Sequence, residues 1–181
     1  MQPVVMFAPE LLVRAQPVKV VFLDVDGVLT DGGLYFSQDG ETLKRFNTLD
    51  GHGLKLLQGA GVVPVVISGR DSAALRARLM ALGVQRMVLG TEDKLPAAQS
   101  QLAALGLDWS QAAAMGDDWP DMPLLQRSAL ACAPCNAHAE VLARVHFVTQ
   151  RQGGQGAVRE LCDLLLTASG HYVTAWRAVR S

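Results

Sequence analysis

The chain has 181 residues, a formal net charge of −1, 18% charged residues and 50% hydrophobic ones. That length fits one domain with a sizeable core, and so apolar a composition excludes a disordered chain. Near-neutrality excludes a basic surface for duplex nucleic acid, no run of about 18 consecutive apolar residues offers a membrane span, and three cysteines are too few and too odd for a disulfide framework.

Residues 1–17 carry no early cationic region and include Pro3, Pro9 and Glu10, so they do not read as a signal peptide, and a soluble cytoplasmic protein is expected. Val18 to Asp24 is short and β-branched, the pattern of a strand buried on both faces. Between Gly33 and Phe46, two short aromatic-bearing runs flank Gln38-Asp39-Gly40, a strong hairpin signal. A lone hairpin is marginal in water, so this one should be paired or covered. Gly51 to Gly59 places Leu54, Leu56 and Leu57 on one helical side. Val62 to Ser68 is the second strand, with Pro64 an imperfection because proline removes a ladder donor. Asp71 to Gly83 reads as a helix with an acidic N-cap and a terminal glycine, Arg86 to Leu89 as a strand, and Asp93 to Leu105 as a helix stopped by Gly106. Strands follow at 112–116, 130–133 and 146–149, with helices near 122–126 and at 156–168. The alternation predicts an α/β fold: a Rossmann-like, doubly wound parallel sheet with helices on both faces and a β-hairpin inserted after the first strand. One domain spans 1–181, with its core at about 18–170 and the hairpin at about 33–46.

In open parallel sheets, ligands bind beyond the carboxyl ends of the strands. Four such ends carry polar residues here: Asp24 and Asp26 with Gly27, Ser68-Gly69-Arg70, Lys94 opening a helix, and Gly116-Asp117-Asp118 with Asp121. Asp24 and Asp26 alternate, so a strict strand would point them to opposite faces, but a loop starting at Asp26 lets both turn to one site. Five converging carboxylates repel one another, and a hard divalent cation relieves that; an all-oxygen set suits Mg²⁺. Ser68, Arg70 and Lys94 are donors suited to phosphate. Acids, Mg²⁺ and phosphate donors together point to phosphoryl transfer, with a carboxylate able to act as nucleophile.

These residues resemble the four motifs of the haloacid dehalogenase superfamily of phosphatases: Asp24-x-Asp26-Gly27-x-x-Thr30, Ser68, Lys94 and Gly116-Asp117-Asp118-x-x-Asp121. The stretches 26–32, 50–55, 68–70, 93–95 and 153–163 further resemble its 3-deoxy-D-manno-octulosonate 8-phosphate phosphatases, enzymes of lipopolysaccharide precursor synthesis. The resemblance runs from about Val18 to Gly170. It implies a cap-less fold in which Asp24 is the nucleophile, forming an aspartyl-phosphate, and Asp26 the acid and base. It implies Mg²⁺ on the Asp24 carboxylate, the Asp26 carbonyl and Asp117, with Asp118 and Asp121 behind these ligands. Ser68 and Lys94 would hold the phosphoryl oxygens. The sugar phosphate would lie around Asp26, Asn47, Asp50, Gly51, Lys55, Arg70, Arg78 and Lys94. It also implies a homotetramer with its hairpins at the centre, in which residues 153–156 of one subunit close a neighbour's site.

Leu49 stands where many relatives carry arginine, and Lys55 at a position that is often arginine, which keeps the charge without the fork. A nine-carbon 2-keto sugar acid 9-phosphate therefore stays open as an alternative substrate. A phosphoacceptor receiver domain would place an acid pair after the first strand and its phosphoacceptor at a later strand end, unlike this order of motifs. A silent regulatory domain has no reason to keep both Asp24 and Asp26. Cys132 and Cys135 form a C-x-x-C, but no pair among the four histidines completes a zinc site, and Pro134 and Asn136 do not fit a redox helix start. The spacing reads as chance, and His138 is given no role.

Overall fold

A computed structural model describes residues 6–38 and 40–178. The predicted turn residue Asp39, the first five residues and the last three lie outside the described residues.

In chain order the elements are α1 (Pro9–Ala15), β1 (Val20–Leu23), β2 (Tyr35–Ser37), β3 (Gly40–Leu43), α2 (Thr48–Gly59), β4 (Val63–Ser68), α3 (Ala73–Ala81) and β5 (Arg86–Leu89). There follow α4 (Lys94–Leu105), β6 (Ala112–Met115), α5 (Met122–Leu125), β7 (Leu130–Ala133), α6 (Ala139–Leu142), β8 (Phe147–Val148), α7 (Ala157–Ala168) and α8 (Tyr172–Ala178). Six strands form one parallel sheet in the order β5-β4-β1-β6-β7-β8, while β2 and β3 pair antiparallel as a separate hairpin. The doubly wound fold with an inserted hairpin is as expected, and nothing larger than the hairpin is inserted among the described residues.

Alternation along the strands divides the core. Val21, Leu23, Val66, Ala113 and Met115 face α1, α2, α3 and α7, with Leu54, Leu57, Leu75, Leu79 and Leu161 opposite. Val20, Phe22, Val65, Ile67 and Ala114 face α4, α5 and α6, against Ala98, Leu102, Leu124 and Val141. All four residues of β1 are buried, as a strand between two covered faces requires. Pro64 is accommodated for a local reason. The Val63 N–H bonds Lys19 O on the β1 side at 2.8 Å, so the missing N–H of Pro64 faces the other side. There β5 begins pairing only opposite Val65.

Five elements depart from the sequence reading. α1 has Pro9 and Glu10 in its first turn and Arg14 in its last, and seats Ala15, Leu11 and Leu12 on the core. Two short 3-10 turns (Trp109–Gln111 and Trp119–Asp121), α6 and α8 are likewise additional. The hairpin is exposed, with Phe36 at 62% and Leu43 at 56% of full accessibility, so among the described residues nothing covers its apolar side. No helix among the described residues is long and apolar enough to cross a membrane.

Candidate active site

Asp24 extends β1 by one ladder bond, its N–H donating to Met115 O at 3.1 Å. The chain then folds back, with the N–H groups of Val28 and Thr30 both donating to Val25 O, so Asp24 and Asp26 come to one cleft despite their alternation. That cleft, about 500 Å³, lies at the carboxyl ends of β1, β4, β5 and β6 and is lined by Asp24, Asp26, Ser68, Arg70, Lys94, Asp117, Asp118 and Asp121, among others. The polar residues of the four motif ends therefore meet, as the strand-end rule requires.

Lys94, in the first turn of α4 and buried, donates to Asp24 Oδ1 at 2.5 Å and to Asp121 Oδ1 at 2.7 Å. Burial works against its charge, but Asp121 and Asp24 outweigh that effect and hold its pKa above the ordinary lysine value. The second oxygen of Asp121 accepts the N–H groups of Asp117 (3.0 Å) and Asp118 (3.3 Å), so one buried carboxylate shapes the acidic loop and aims the lysine. Oxygens of Asp24, Asp117 and Asp121 lie within 4.8 Å of one another. Burial, then the charge of Asp121, raises the Asp24 pKa to about 6 against the pull of Lys94. Burial and the charges of Asp24, Asp121 and Asp118 raise Asp117 to about 7. Ser68 is buried at the end of β4, and its Oγ accepts the Arg70 N–H at 3.1 Å.

Asp26 has different company. Its Oδ1 accepts from Lys44 Nζ at 2.5 Å and from Thr30 Oγ1 at 3.5 Å, and its Oδ2 is 3.6 Å from Arg70 Nε. Lys44, just beyond β3, is a site residue the sequence reading missed, because a lysine in a polar hairpin reads as a solvated one.

Gly27, at φ +93°, carries the chain past Asp117, and a Cβ there would collide with Asp117 Oδ2. Within its own chain the loop 153–156 packs against the turn that follows β1. A Cβ on Gly153 or Gly154 would strike the backbone of Gly27, Thr30 or Asp31 of the same chain, and the Gly154 N–H bonds Val28 O at 2.9 Å. Its glycines serve close approach to the chain's own catalytic loop.

Of the residues assigned to the sugar, only Asp26, Arg70 and Lys94 line the cleft. Asn47 caps α2 by accepting the Leu49 N–H at 2.8 Å and reaches Gly154 O at 3.4 Å. Arg78 Nη2 donates to Asn47 O at 3.4 Å, and Gly51 leaves the space its guanidinium fills. Asp50 is buried and accepts the Arg159 N–H at 2.8 Å, capping the start of α7 from across the interface because Gly156 has no side chain to do so. Lys55 is exposed on α2, beside α8.

None of the cysteines lines the cleft. All three are free; Cys132 is buried on β7, where burial pushes its thiol pKa well up, and Cys135 Sγ donates to Gln150 O at 3.4 Å. His138 accepts at Nδ1 from the Trp119 indole and the Glu140 N–H, capping α6. Among the described residues, Asp24, Asp117 and Asp121 are the one group of three or more such side chains placed to share a metal ion.

Residues 90–161 match a family model described as haloacid dehalogenase-like hydrolase. The chain is 39% identical over 161 residues to the 3-deoxy-D-manno-octulosonate 8-phosphate phosphatase of Yersinia pestis, covering 89% of this chain and 86% of that one. The crystal structure of the Yersinia pestis phosphatase superposes with a TM-score of 0.90, at 38% identity, over 92% of this chain and 90% of that one. The corresponding phosphatase of Moraxella catarrhalis, solved in complex with a magnesium ion, a phosphate ion and KDO, superposes with a TM-score of 0.90 at 34% identity, over 95% and 98% of the two chains.

Proposed function

This chain belongs to the 3-deoxy-D-manno-octulosonate 8-phosphate phosphatase family of haloacid dehalogenase-like hydrolases, and from that premise we propose that it hydrolyses 3-deoxy-D-manno-octulosonate 8-phosphate to the free sugar acid and phosphate with Mg²⁺ as cofactor. The observation that carries the reading is the cleft itself: a buried carboxylate, Asp24, held 2.5 Å from a buried lysine and ringed by further carboxylates at the strand ends.

The donors fit the metal. Asp24 and Asp117 are hard oxygen donors close enough to share an ion, and both are pushed up in pKa by burial and mutual repulsion that a cation would relieve. Asp24, Asp117 and the Asp26 carbonyl would hold it, while Asp121 keeps Lys94 and the acidic loop in place. When bound, Mg²⁺ supplies positive charge that offsets the phosphoryl oxygens.

The chain's own groups then divide the work. An Asp24 oxygen attacks phosphorus, the bond from phosphorus to the sugar oxygen breaks, and Asp26 gives that oxygen its proton. Asp26 next takes a proton from water as the water attacks the aspartyl-phosphate, releasing phosphate and restoring Asp24. Lys94 Nζ and Ser68 Oγ donate to the phosphoryl oxygens, and Arg70 stands at the cleft edge for the sugar acid. Asn47, Lys55 and Arg78 lie outside the single-chain cleft, so service by them to the sugar belongs to an assembled protein, whereas Asp50 and Gly51 are buried in the packing of α2 and serve the sugar only through the elements they hold. The exposed Leu34, Tyr35, Phe36 and Leu43 support assembly through the hairpins into a homotetramer. Three free cysteines support a cytoplasmic setting.

Phosphate release by purified protein, with Mg²⁺ and with chelator, from the eight-carbon 8-phosphate and a nine-carbon 2-keto sugar acid 9-phosphate tests the reading. Mg²⁺-dependent release with preference for the eight-carbon substrate is expected. Preference for the nine-carbon acid would reassign the substrate, and release from neither would overturn the function.

A further inference from the structure

Lys44 is an unusual lysine. Its side chain is 1% exposed, although it lies at the foot of a hairpin whose own strands are largely open to solvent. Buried ammonium groups persist only where carboxylates meet them. Two do so here: Asp26 Oδ1 at 2.5 Å, and Glu41 Oε1 at 3.0 Å, the latter angled as an ion pair rather than a hydrogen bond. Glu41 sits in β3, so the hairpin carries both a cation that reaches the cleft and the acid that keeps it turned inward.

The other contacts to the Asp26 carboxylate are longer: Thr30 Oγ1 at 3.5 Å and Arg70 Nε at 3.6 Å, the latter from a side chain that is 48% exposed. Lys44 is thus the short, dry contact that fixes where the carboxylate points. We propose that Lys44 is a positioning residue for catalysis, aiming Asp26 at the leaving oxygen and making the β2–β3 hairpin a working part of the active site. This rests on Asp26 acting as the acid and base. A misplacement of about 1 Å in such a group costs up to about a hundredfold in rate, and here the loss falls on the one step Asp26 serves.

That selectivity gives the test. A sugar alkoxide needs its proton as the bond breaks, whereas an aryl phosphate leaves without one. Turnover of the sugar 8-phosphate and of p-nitrophenyl phosphate is measured in the wild type, Lys44→Met, Asp26→Ala and the double variant. Lys44→Met is expected to lower the sugar-to-aryl rate ratio by at least about tenfold, and to change it no further in the Asp26→Ala background. Should Lys44→Met fail to fold, Lys44→Gln reads the same ratio. Hydrogen exchange adds a readout independent of turnover: amides of β2 and β3 should exchange faster in both single variants, because each cuts the same tether. Equal losses on the two substrates in Lys44→Met, or hairpin exchange unmoved in Asp26→Ala, would overturn the inference. If Asp26→Ala itself leaves the ratio unchanged, the acid–base reading of Asp26 fails instead, a result distinct from one in which Asp26→Ala shifts the ratio and Lys44→Met does not.

Discussion

Asp50 carries a measurable penalty for its place between α2 and α7. It is 1% exposed; one oxygen takes the Arg159 N–H at 2.8 Å, and the other, Oδ2, has no hydrogen-bond partner. Burial raises its pKa from 3.8 to about 6, with the hydrogen bond from the Arg159 backbone pulling the other way. The folded protein therefore binds this proton more readily than the unfolded chain. Its contribution to stability is most favourable below about pH 4, falls as pH rises through the interval from 3.8 to about 6, and stays low above it. At about 1.4 kcal/mol for each pH unit, the full swing is about 3 kcal/mol. Asp50→Asn keeps an acceptor for Arg159 and removes the titration. Turning Oδ2 into an N–H donor adds a cost that is the same at every pH, so only the pH-dependent part of the difference reports the buried charge. Urea unfolding of both proteins between pH 4.5 and 7.5 should show the variant gaining on the wild type by about 2 kcal/mol as pH rises, the rest of the swing lying below pH 4.5. A difference that is flat across this range, or that moves in the opposite direction, would refute a buried, uncompensated Asp50.

Three further outcomes follow from the site. Gly27→Ala forces a side chain onto a backbone at φ +93° and into Asp117, so it should lower stability by about 1–3 kcal/mol and weaken Mg²⁺ binding, read by thermal unfolding and calorimetric titration. Because the Asp117 pKa is raised to about 7, protons compete with the metal below neutrality, and Mg²⁺ affinity by calorimetry should be about tenfold weaker at pH 6 than at pH 8; equal affinities would separate Asp117 from the metal. Phe36→Asp places a charge on the exposed hairpin, so sedimentation and turnover should show assembly and activity lost together, and a fully active monomer would refute the role given to the hairpin.

The sheet was readable because its strands are short apolar runs buried on both faces, and the cleft because every strand end that carries chemistry ends such a run. What stayed hidden depends on packing between distant segments. α1 carries its own start and stop signals in Pro9, Glu10 and Arg14, yet only three of its side chains reach the core, too weak a pattern beside the strands. Lys44 is indistinguishable from a solvated lysine until the hairpin folds over Asp26. Asp50 is assigned to the sugar by resemblance alone, and its role in capping α7 depends on a residue 109 positions away. The close approach of Gly153 and Gly154 to residues 27–31 of the same chain joins segments more than 120 positions apart, which no local pattern announces.

The central claim is that Asp24 is the group that takes the phosphoryl unit. Enzyme turning over the sugar 8-phosphate with Mg²⁺ is acid-quenched and treated with borohydride, which reduces an acyl phosphate to an alcohol and would convert Asp24 to homoserine, and the product is located by peptide mass spectrometry. The account predicts homoserine at position 24, absent without substrate, and Asp24→Asn with less than a tenth of wild-type turnover, a barrier rise of more than about 1.4 kcal/mol. Reduction at another carboxylate, or an Asp24→Asn protein that keeps a tenth or more of the activity, would contradict it.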